Sequence, residues 1–220
     1  AASGELGRVR LAFVSTIGFT QLPLWVREFL ARTPGVSLEL VEATSDVQMD
    51  GFDRGHIDAG LMLHAPGQAP VGLERLTVGQ ESMVLALPSK HPLAKVEKLR
   101  LVEVLAEPLV LFPRRIMPSL HDALMELYRA NDALPRIAQE AIQMQTIVNL
   151  VWGGIGLAWV PASVMQFRRP GVVYREVLHA AGRAGRKAVA LPTCETSLVW
   201  PADAMSPALA RFVEFVREQR

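Results

Sequence analysis

The chain has 220 residues, of which half are hydrophobic and a fifth are charged. This is the composition of a globular protein that can bury a core without disulfides. Its 23 lysines and arginines nearly balance its 22 aspartates and glutamates, so the net charge is +1. Surfaces that bind nucleic acid phosphates or anionic membranes carry a basic excess, and the composition therefore argues against both partners for this segment. The one cysteine, Cys194, excludes an intrachain disulfide and fits a reducing compartment.

The first third of the chain alternates strands and helices. Apolar runs and period-two alternation predict strands at 9–14, 36–41 and 57–63; helical spacing of apolar residues predicts helices at 19–32 and 45–54. Ser45 is the expected N-cap of the second helix. Strand–helix–strand units imply right-handed crossovers and a parallel sheet.

A second α/β half follows an extended segment at 73–87. Its predicted strands are 109–112, 135–141 and 157–160, and its predicted helices are 100–106, 119–131 and one beginning near Met144. Residues 179–187 are expected to form a loop, followed by a strand at 196–200. Ser206 and Pro207 then open the last helix. The predicted fold class is α/β, with two halves joined by extended segments.

The longest uncharged run, 141–167, is long enough to span a bilayer. It contains three glycines, Pro161 and several amides and hydroxyls. We therefore expect a buried helix followed by a buried strand, and no membrane partner.

Residue patterns typical of catalysis are missing from the sequence. The five histidines and Cys194 show no metal-ligand spacing, so neither a metal nor a cofactor is expected. Gly153-Gly154-Ile155-Gly156 follows a helix and precedes a strand, the reverse of the dinucleotide-binding arrangement. The sequence therefore offers no set of catalytic residues that would support an enzyme.

Three predicted helix starts carry hydroxyl or amide side chains beside apolar residues, at 15–18, 112–119 and 143–146. Helix N-termini offer free N–H groups to a carboxylate, and Arg114 or Arg115 could neutralise an anion. The alternative is that Ser15, Ser119 and Thr146 are ordinary helix caps.

The chain also resembles the effector-binding domain of LysR-type transcriptional regulators, over essentially its whole length. The resemblance rests on Gly7–Leu11, Leu22-Pro23, Gly55–Gly60, His91-Pro92-Leu93, Gly153–Pro161 and the final helix with Leu209, Phe212 and Val213. Residues 111–114 and 161–164 look most like the branch that controls aromatic-compound catabolism.

The resemblance implies two Rossmann-like lobes joined by crossover strands, as in type 2 periplasmic binding proteins, with an inducer cleft between them. Lobe I is expected at 1–83 and 189–220, and lobe II at 84–188. The family's inducer contacts map onto nine residues: Ser15, Thr16, Thr44, Ser45, His64, Pro113, Arg114, Gln145 and Thr146. His64 is the one residue after the third strand that could replace the cation some members carry there.

The resemblance further implies a cytoplasmic regulator whose inducer is a small organic acid. It implies a winged helix-turn-helix and a linker helix ahead of this segment, which would make the DNA contacts. It implies a homodimer in which helix 19–32 packs on a partner's lobe II, and tetramers of the full-length protein. Trp25 and Phe29 would suit that interface or the core. The alternative function is a periplasmic solute-binding protein of the same lobe architecture.

Overall fold

The computed structural model describes residues 7–178 and 190–219. The strands are β1 (Gly7–Phe13), β2 (Val36–Glu42), β3 (Ala59–His64), β4 (Glu74–Pro88), β5 (Lys98–Arg100), β6 (Pro108–Leu111), β7 (Arg136–Glu140), β8 (Ala158–Pro161), β9 (Val172–Leu178) and β10 (Thr193–Trp200). The α-helices are α1 (Leu22–Arg32), α2 (Ser45–Asp53), α3 (Leu101–Leu105), α4 (Pro118–Ala130), α5 (Met144–Trp152) and α6 (Pro207–Glu218).

The chain divides into two compact units. Unit 1 holds the described residues up to Gln80 and those from Glu195 onward, and unit 2 runs from Glu81 to Cys194. Both crossing points lie inside long strands, β4 and β10, so no turn residue marks them in the sequence. They differ by a few residues from the 83/84 and 188/189 boundaries expected from the sequence.

Unit 1 is built on the parallel strands that the sequence predicts. Strand β1 pairs in parallel with β2 on one side and with β3 on the other. Strand β10 then pairs antiparallel with β3, placing Glu195 opposite His64. Because β1, β2 and β3 run in one direction, their carboxyl ends meet at one edge of the sheet.

Part of the core of unit 1 lies between the sheet and helices α1 and α6, and a further cluster joins Ala12, Ile57, Met62 and Val199 to Phe52 of α2. Phe29 is fully buried, and its ring meets that of Phe212 edge-on with centroids 5.0 Å apart. Trp25 is also buried, so these two residues belong to the core rather than to an exposed interface. Pro207 opens α6, and the Ser206 side chain accepts a hydrogen bond from the Leu209 N–H as predicted.

Helix α1 begins later than the sequence suggests. Its predicted start was residue 19, but a short 3₁₀ turn occupies Ser15–Phe19 and the α-helix begins at Leu22. Pro23 lies in the first turn, where its missing N–H costs no intrahelical hydrogen bond.

In unit 2, the second half of β4 pairs antiparallel with β8 and β9, β9 pairs in parallel with β5, and β6 pairs in parallel with β7. The sequence analysis missed β5, which is only three residues long, and β9, whose side chains are mostly half-buried without alternation. The predicted loop at 179–187 lies outside the described residues.

The uncharged run forms helix α5 and strand β8, as predicted. Gly153 and Gly154 end the helix, and Gly154 has a φ of 79°. At Gly156, a Cβ atom would lie 2.6 Å from the Pro108 carbonyl oxygen, so this close approach requires glycine. Within residues 7–178 and 190–219, no helix is long and apolar enough to cross a membrane.

An ion pair between Arg10 of β1 and Asp58, the residue before β3, connects the two strands. Arg10 donates to both carboxylate oxygens of Asp58, at 3.1 Å from Nε and 2.6 Å from Nη2, and its backbone N–H donates at 2.7 Å. Burial raises the pKa of Asp58, but the hydrogen bonds from Arg10 outweigh it, so the pKa lies below its ordinary value. The ionised carboxylate therefore stabilises unit 1.

Asp58→Asn should lower the free energy of unfolding by about 1–2 kcal/mol at pH 7, because it removes a charge-assisted, partly buried pair. A group whose pKa is lowered on folding stabilises above its unfolded pKa of about 3.9, and this stabilisation is lost as the pH falls through the folded value. Urea denaturation at pH 7 and pH 3 measures both effects. The control is Asp50→Asn, whose exposed pair with Arg54 is 3.8 Å long. Equal stability of wild type and Asp58→Asn at pH 7 would contradict the assignment.

Candidate functional site

Unit 1 brings five of the nine predicted effector residues to one edge of its sheet. Ser15 and Thr16 follow β1, Thr44 and Ser45 follow β2, and His64 ends β3. The parallel pairings place Phe13 opposite Glu42 and Leu61, so the three strand ends are neighbours. Open α/β sheets bind ligands at this edge.

Ser15 and Thr16 are not helix caps. The 3₁₀ turn has Val14 at its N-cap and no side-chain capping bond, and both hydroxyl residues lie inside the turn. Both are buried, and Thr16 Oγ1 finds no hydrogen-bond partner among the described residues. The capping alternative is therefore wrong for Ser15.

Ser45 is not the N-cap of α2, contrary to the sequence-based expectation. Thr44 holds that position, and its hydroxyl donates to Asp46 instead of capping the helix. Ser45 is the first helical residue, 8% exposed, and its Oγ has no hydrogen-bond partner within the described part of the chain. Two adjacent strand ends of unit 1 thus each carry a buried hydroxyl without a partner.

His64 is placed at the same edge but is fully engaged. It is 2% exposed; its Nδ1 lies 2.8 Å from the Ala65 carbonyl oxygen, and its Nε2 lies 3.0 Å from Ser197 Oγ. Both ring nitrogens therefore already have partners in unit 1.

Unit 2 holds the remaining four predicted residues at an edge of its own. Pro113 and Arg114 follow β6, while Gln145 and Thr146 lie in the first turn of α5, after β7. The parallel pairing of β6 with β7, and the hydrogen bond from Ala141 N–H to Leu111 O, bring these two segments together. Gln143 is the N-cap of α5, without a side-chain capping bond, so Thr146 is not a cap either.

The four side chains in unit 2 differ in their burial and in their hydrogen-bond partners. Gln145 Oε1 is buried and unpartnered among the described residues, whereas Thr146 is exposed. Arg114 is exposed and makes a two-pronged ion pair with Asp122, at 2.8 Å from Nε and 2.7 Å from Nη2. These hydrogen bonds hold the pKa of Asp122 below its ordinary value. Ser119, the other suspected cap, follows Pro118 in α4, whose N-cap is Met117.

Buried polar atoms without partners are uncommon, because each costs about 1–3 kcal/mol of desolvation. Here three of them, on Thr16, Ser45 and Gln145, fall on residues that follow the carboxyl ends of parallel strands. Such atoms are satisfied when a ligand supplies the missing hydrogen bond. The described residues contain no group of three or more metal-ligating side chains.

Sequence reasoning missed Gln48, which sets the geometry of the turn before α2. It is fully buried, and its Nε2 donates to the carbonyl oxygens of Ala43 at 2.9 Å and Leu61 at 3.4 Å. A Cβ at Gly60 would lie 2.2 Å from its Oε1. The spacing Ser45-x-x-Gln48 is a signal for a helix start, but it does not reveal this role.

Polar groups at the carboxyl ends of parallel strands are typical of ligand-binding α/β proteins. The family comparison is decisive about which kind: the model described as "LysR substrate binding domain" matches residues 2–220. The chain belongs to this family, whose members are transcriptional regulators and not enzymes. The solute-binding alternative is not favoured.

Individual relatives agree with this assignment. The chain is 37% identical to the HTH-type transcriptional regulator IlvR of Caulobacter vibrioides, over 98% of this chain and 69% of that protein. Full-length CbnR in complex with its target DNA is similar to it at a TM-score of 0.76 and 30% identity, covering 100% of this chain and 72% of CbnR. The effector-binding domain of QuiR in complex with shikimate shares the fold, with a TM-score of 0.79, 16% identity and coverage of 97% and 96%.

Proposed function

We propose that this chain senses a small organic acid, and that Thr16 and Ser45 of unit 1 donate hydrogen bonds to its carboxylate. The observation that carries the proposal is the pair of buried, unpartnered hydroxyls at adjacent strand ends. Ser15, with its N–H group in the 3₁₀ turn, and the uncapped start of α2 add backbone donors and a positive helix end.

The predicted residues of unit 2, Pro113, Arg114, Gln145 and Thr146, are kept in this proposal as candidate effector contacts at the strand ends of that unit. Gln145 Oε1 is an acceptor, and it is satisfied by a hydroxyl or amine of the ligand. The pair with Asp122 uses Nε and Nη2 of Arg114, so the two N–H groups of Nη1 lie outside it.

A thermal-shift screen of the chain tests the proposal with three named acids: shikimate, which QuiR binds, benzoate and cis,cis-muconate. A ligand at 100 times its Kd adds about 2.7 kcal/mol to the free energy of unfolding, which is a shift of about 5–10 °C for a chain of this size. A dose-dependent shift with an acid, and none with its amide, supports the proposal. A flat response to a wider panel of organic acids would overturn it.

LysR-type regulators oligomerise and bind DNA, and we propose the finer geometry for this chain. It forms a homodimer through helix α1, the structural form of the predicted helix 19–32, against unit 2 of a partner; the full-length protein forms tetramers. The N-terminal domain contacts the DNA, and the protein is cytoplasmic. Supporting this, α1 exposes Leu24 and Leu30 by 52% and 38% while its Trp25 and Phe29 face the core.

Leu24→Arg should weaken self-association at least tenfold without lowering the melting temperature of the monomer, because it puts a charge into an apolar contact made only in the dimer. Sedimentation equilibrium measures the dimer dissociation constant. Val71→Arg, at an even more exposed loop position of unit 1, is the matched control. Unchanged self-association of Leu24→Arg would place the dimer contact elsewhere.

A further inference from the structure

His64 is the centre of a buried network of polar side chains that links three strands of unit 1. Its Nδ1 faces a carbonyl oxygen, Ala65 O, which only accepts hydrogen bonds; Nδ1 must therefore carry a proton. Its Nε2 faces Ser197 Oγ at 3.0 Å, on β10. The side chain is thus fixed at both ends, with one particular ring nitrogen protonated.

The network of polar side chains continues through the carboxylate of Glu195. Ser197 Oγ lies 3.4 Å from Oε1 of Glu195, the same oxygen that accepts a 2.9 Å hydrogen bond from Thr77 Oγ1 on β4. Glu195 Oε1 is also 3.8 Å from His64 Nε2. His64 and Ser197 are buried, and the Glu195 side chain is only 13% exposed, so water competes little for these bonds.

The network of polar side chains lies between the strand ends of unit 1 and the strands that cross to unit 2. His64 ends β3, at the edge where Thr16 and Ser45 follow β1 and β2. Its partners lie on β10 and β4, the two strands along which the polypeptide passes between the units, and Glu195 directly follows the crossing point at Cys194.

We propose that His64 is a positioning residue for the effector site and not an effector ligand. Through Ser197, Glu195 and Thr77 it holds the carboxyl end of β3 on β10 and β4, and so couples the effector-binding edge of unit 1 to the crossing strands. The coupling to effector binding rests on the function proposed above; the link between His64 and the crossing strands does not.

The first test needs no effector. In ¹⁵N-labelled chain, Ser197→Ala should shift the amide signals of residues 15–17 and 44–46 and of Thr77. Thr196→Val is the matched control, because the neighbouring residue of β10 points to the other face of the strand and should leave those signals in place. Equal responses of the two variants, or a His64 imidazole without a proton on Nδ1, would overturn the proposal. Glu195→Gln is the second variant should Ser197→Ala fail to fold.

The second test separates positioning from direct contact. His64→Gln places an amide nitrogen where Nε2 reaches Ser197, and His64→Asn places one only at the position of Nδ1. With shikimate and benzoate as probes, His64→Gln should keep the Kd within threefold of wild type, and His64→Asn should weaken it at least fivefold. An equal loss in both, without amide shifts in Ser197→Ala, would make His64 a direct ligand and overturn the proposal. If neither probe binds wild type, the function proposed above fails for these acids, and the amide signals alone still decide whether His64 is linked to the crossing strands.

Discussion

Phe29→Ala should lower the free energy of unfolding by about 3–5 kcal/mol, the cost of emptying a large aromatic site in a packed core. Phe29 is fully buried, and its ring contacts Phe212 at 5.0 Å and Phe215 at 5.5 Å between centroids. The loss combines buried apolar area with the two ring contacts. Chemical denaturation followed by circular dichroism measures it.

Leu24→Ala is the control on the same helix, since its side chain is 52% exposed, and at concentrations where the chain is monomeric it should change stability by less than about 0.5 kcal/mol. The comparison also separates the two roles that the sequence left open for Phe29. If Phe29→Ala kept its stability but lost self-association, Phe29 would be an interface residue, which contradicts the structure.

Combining Thr16→Val with Ser45→Ala should weaken binding of the effector about 100-fold, or about tenfold for each hydroxyl removed, since hydrogen bonds to charged groups contribute about 1.5–3 kcal/mol. The melting temperature of the unliganded chain should stay level or rise. Both oxygens are buried without partners among the described residues, so removing them relieves a desolvation cost.

Ser37→Ala is the control, an exposed serine near the amino end of β2 and far from its carboxyl end, and neither binding nor stability should change. Calorimetric titration gives the dissociation constants and differential scanning gives the melting temperatures. A fall of several degrees in unliganded stability, with binding intact, would show that the two hydroxyls hold the fold and do not bind the effector.

Local patterns were enough to predict most elements of the fold. The apolar run at 9–14, the alternation at 36–41 and the Ser206-Pro207 pair each state a local preference; β2 and α6 begin where predicted, and β1 begins two residues earlier, at Gly7. The alternation of strands and helices also predicted two α/β halves, and the LysR resemblance added that the C-terminal segment returns to the first of them. Strands β5 and β9 were missed because one is very short and the other lacks alternation.

The candidate site was predictable only in part. Strand–helix junctions indicated which hydroxyls reach the sheet edge, but whether Ser15 or Ser45 caps a helix depends on a shift of one residue in the helix start. The role of His64 depends on Ser197, 133 residues further along the chain, and no spacing rule connects them. Likewise, Asp122 neutralises Arg114 through a contact that sequence analysis did not consider.

The most direct test of acid sensing is a calorimetric titration of the wild-type chain with its best-binding acid and with the amide of that acid. If Thr16 and Ser45 donate to a carboxylate, the acid binds at least tenfold more tightly than the amide, and the difference disappears in the double variant. Equal binding of the acid and the amide, or a preference that survives in the double variant, would contradict carboxylate recognition by these two hydroxyls.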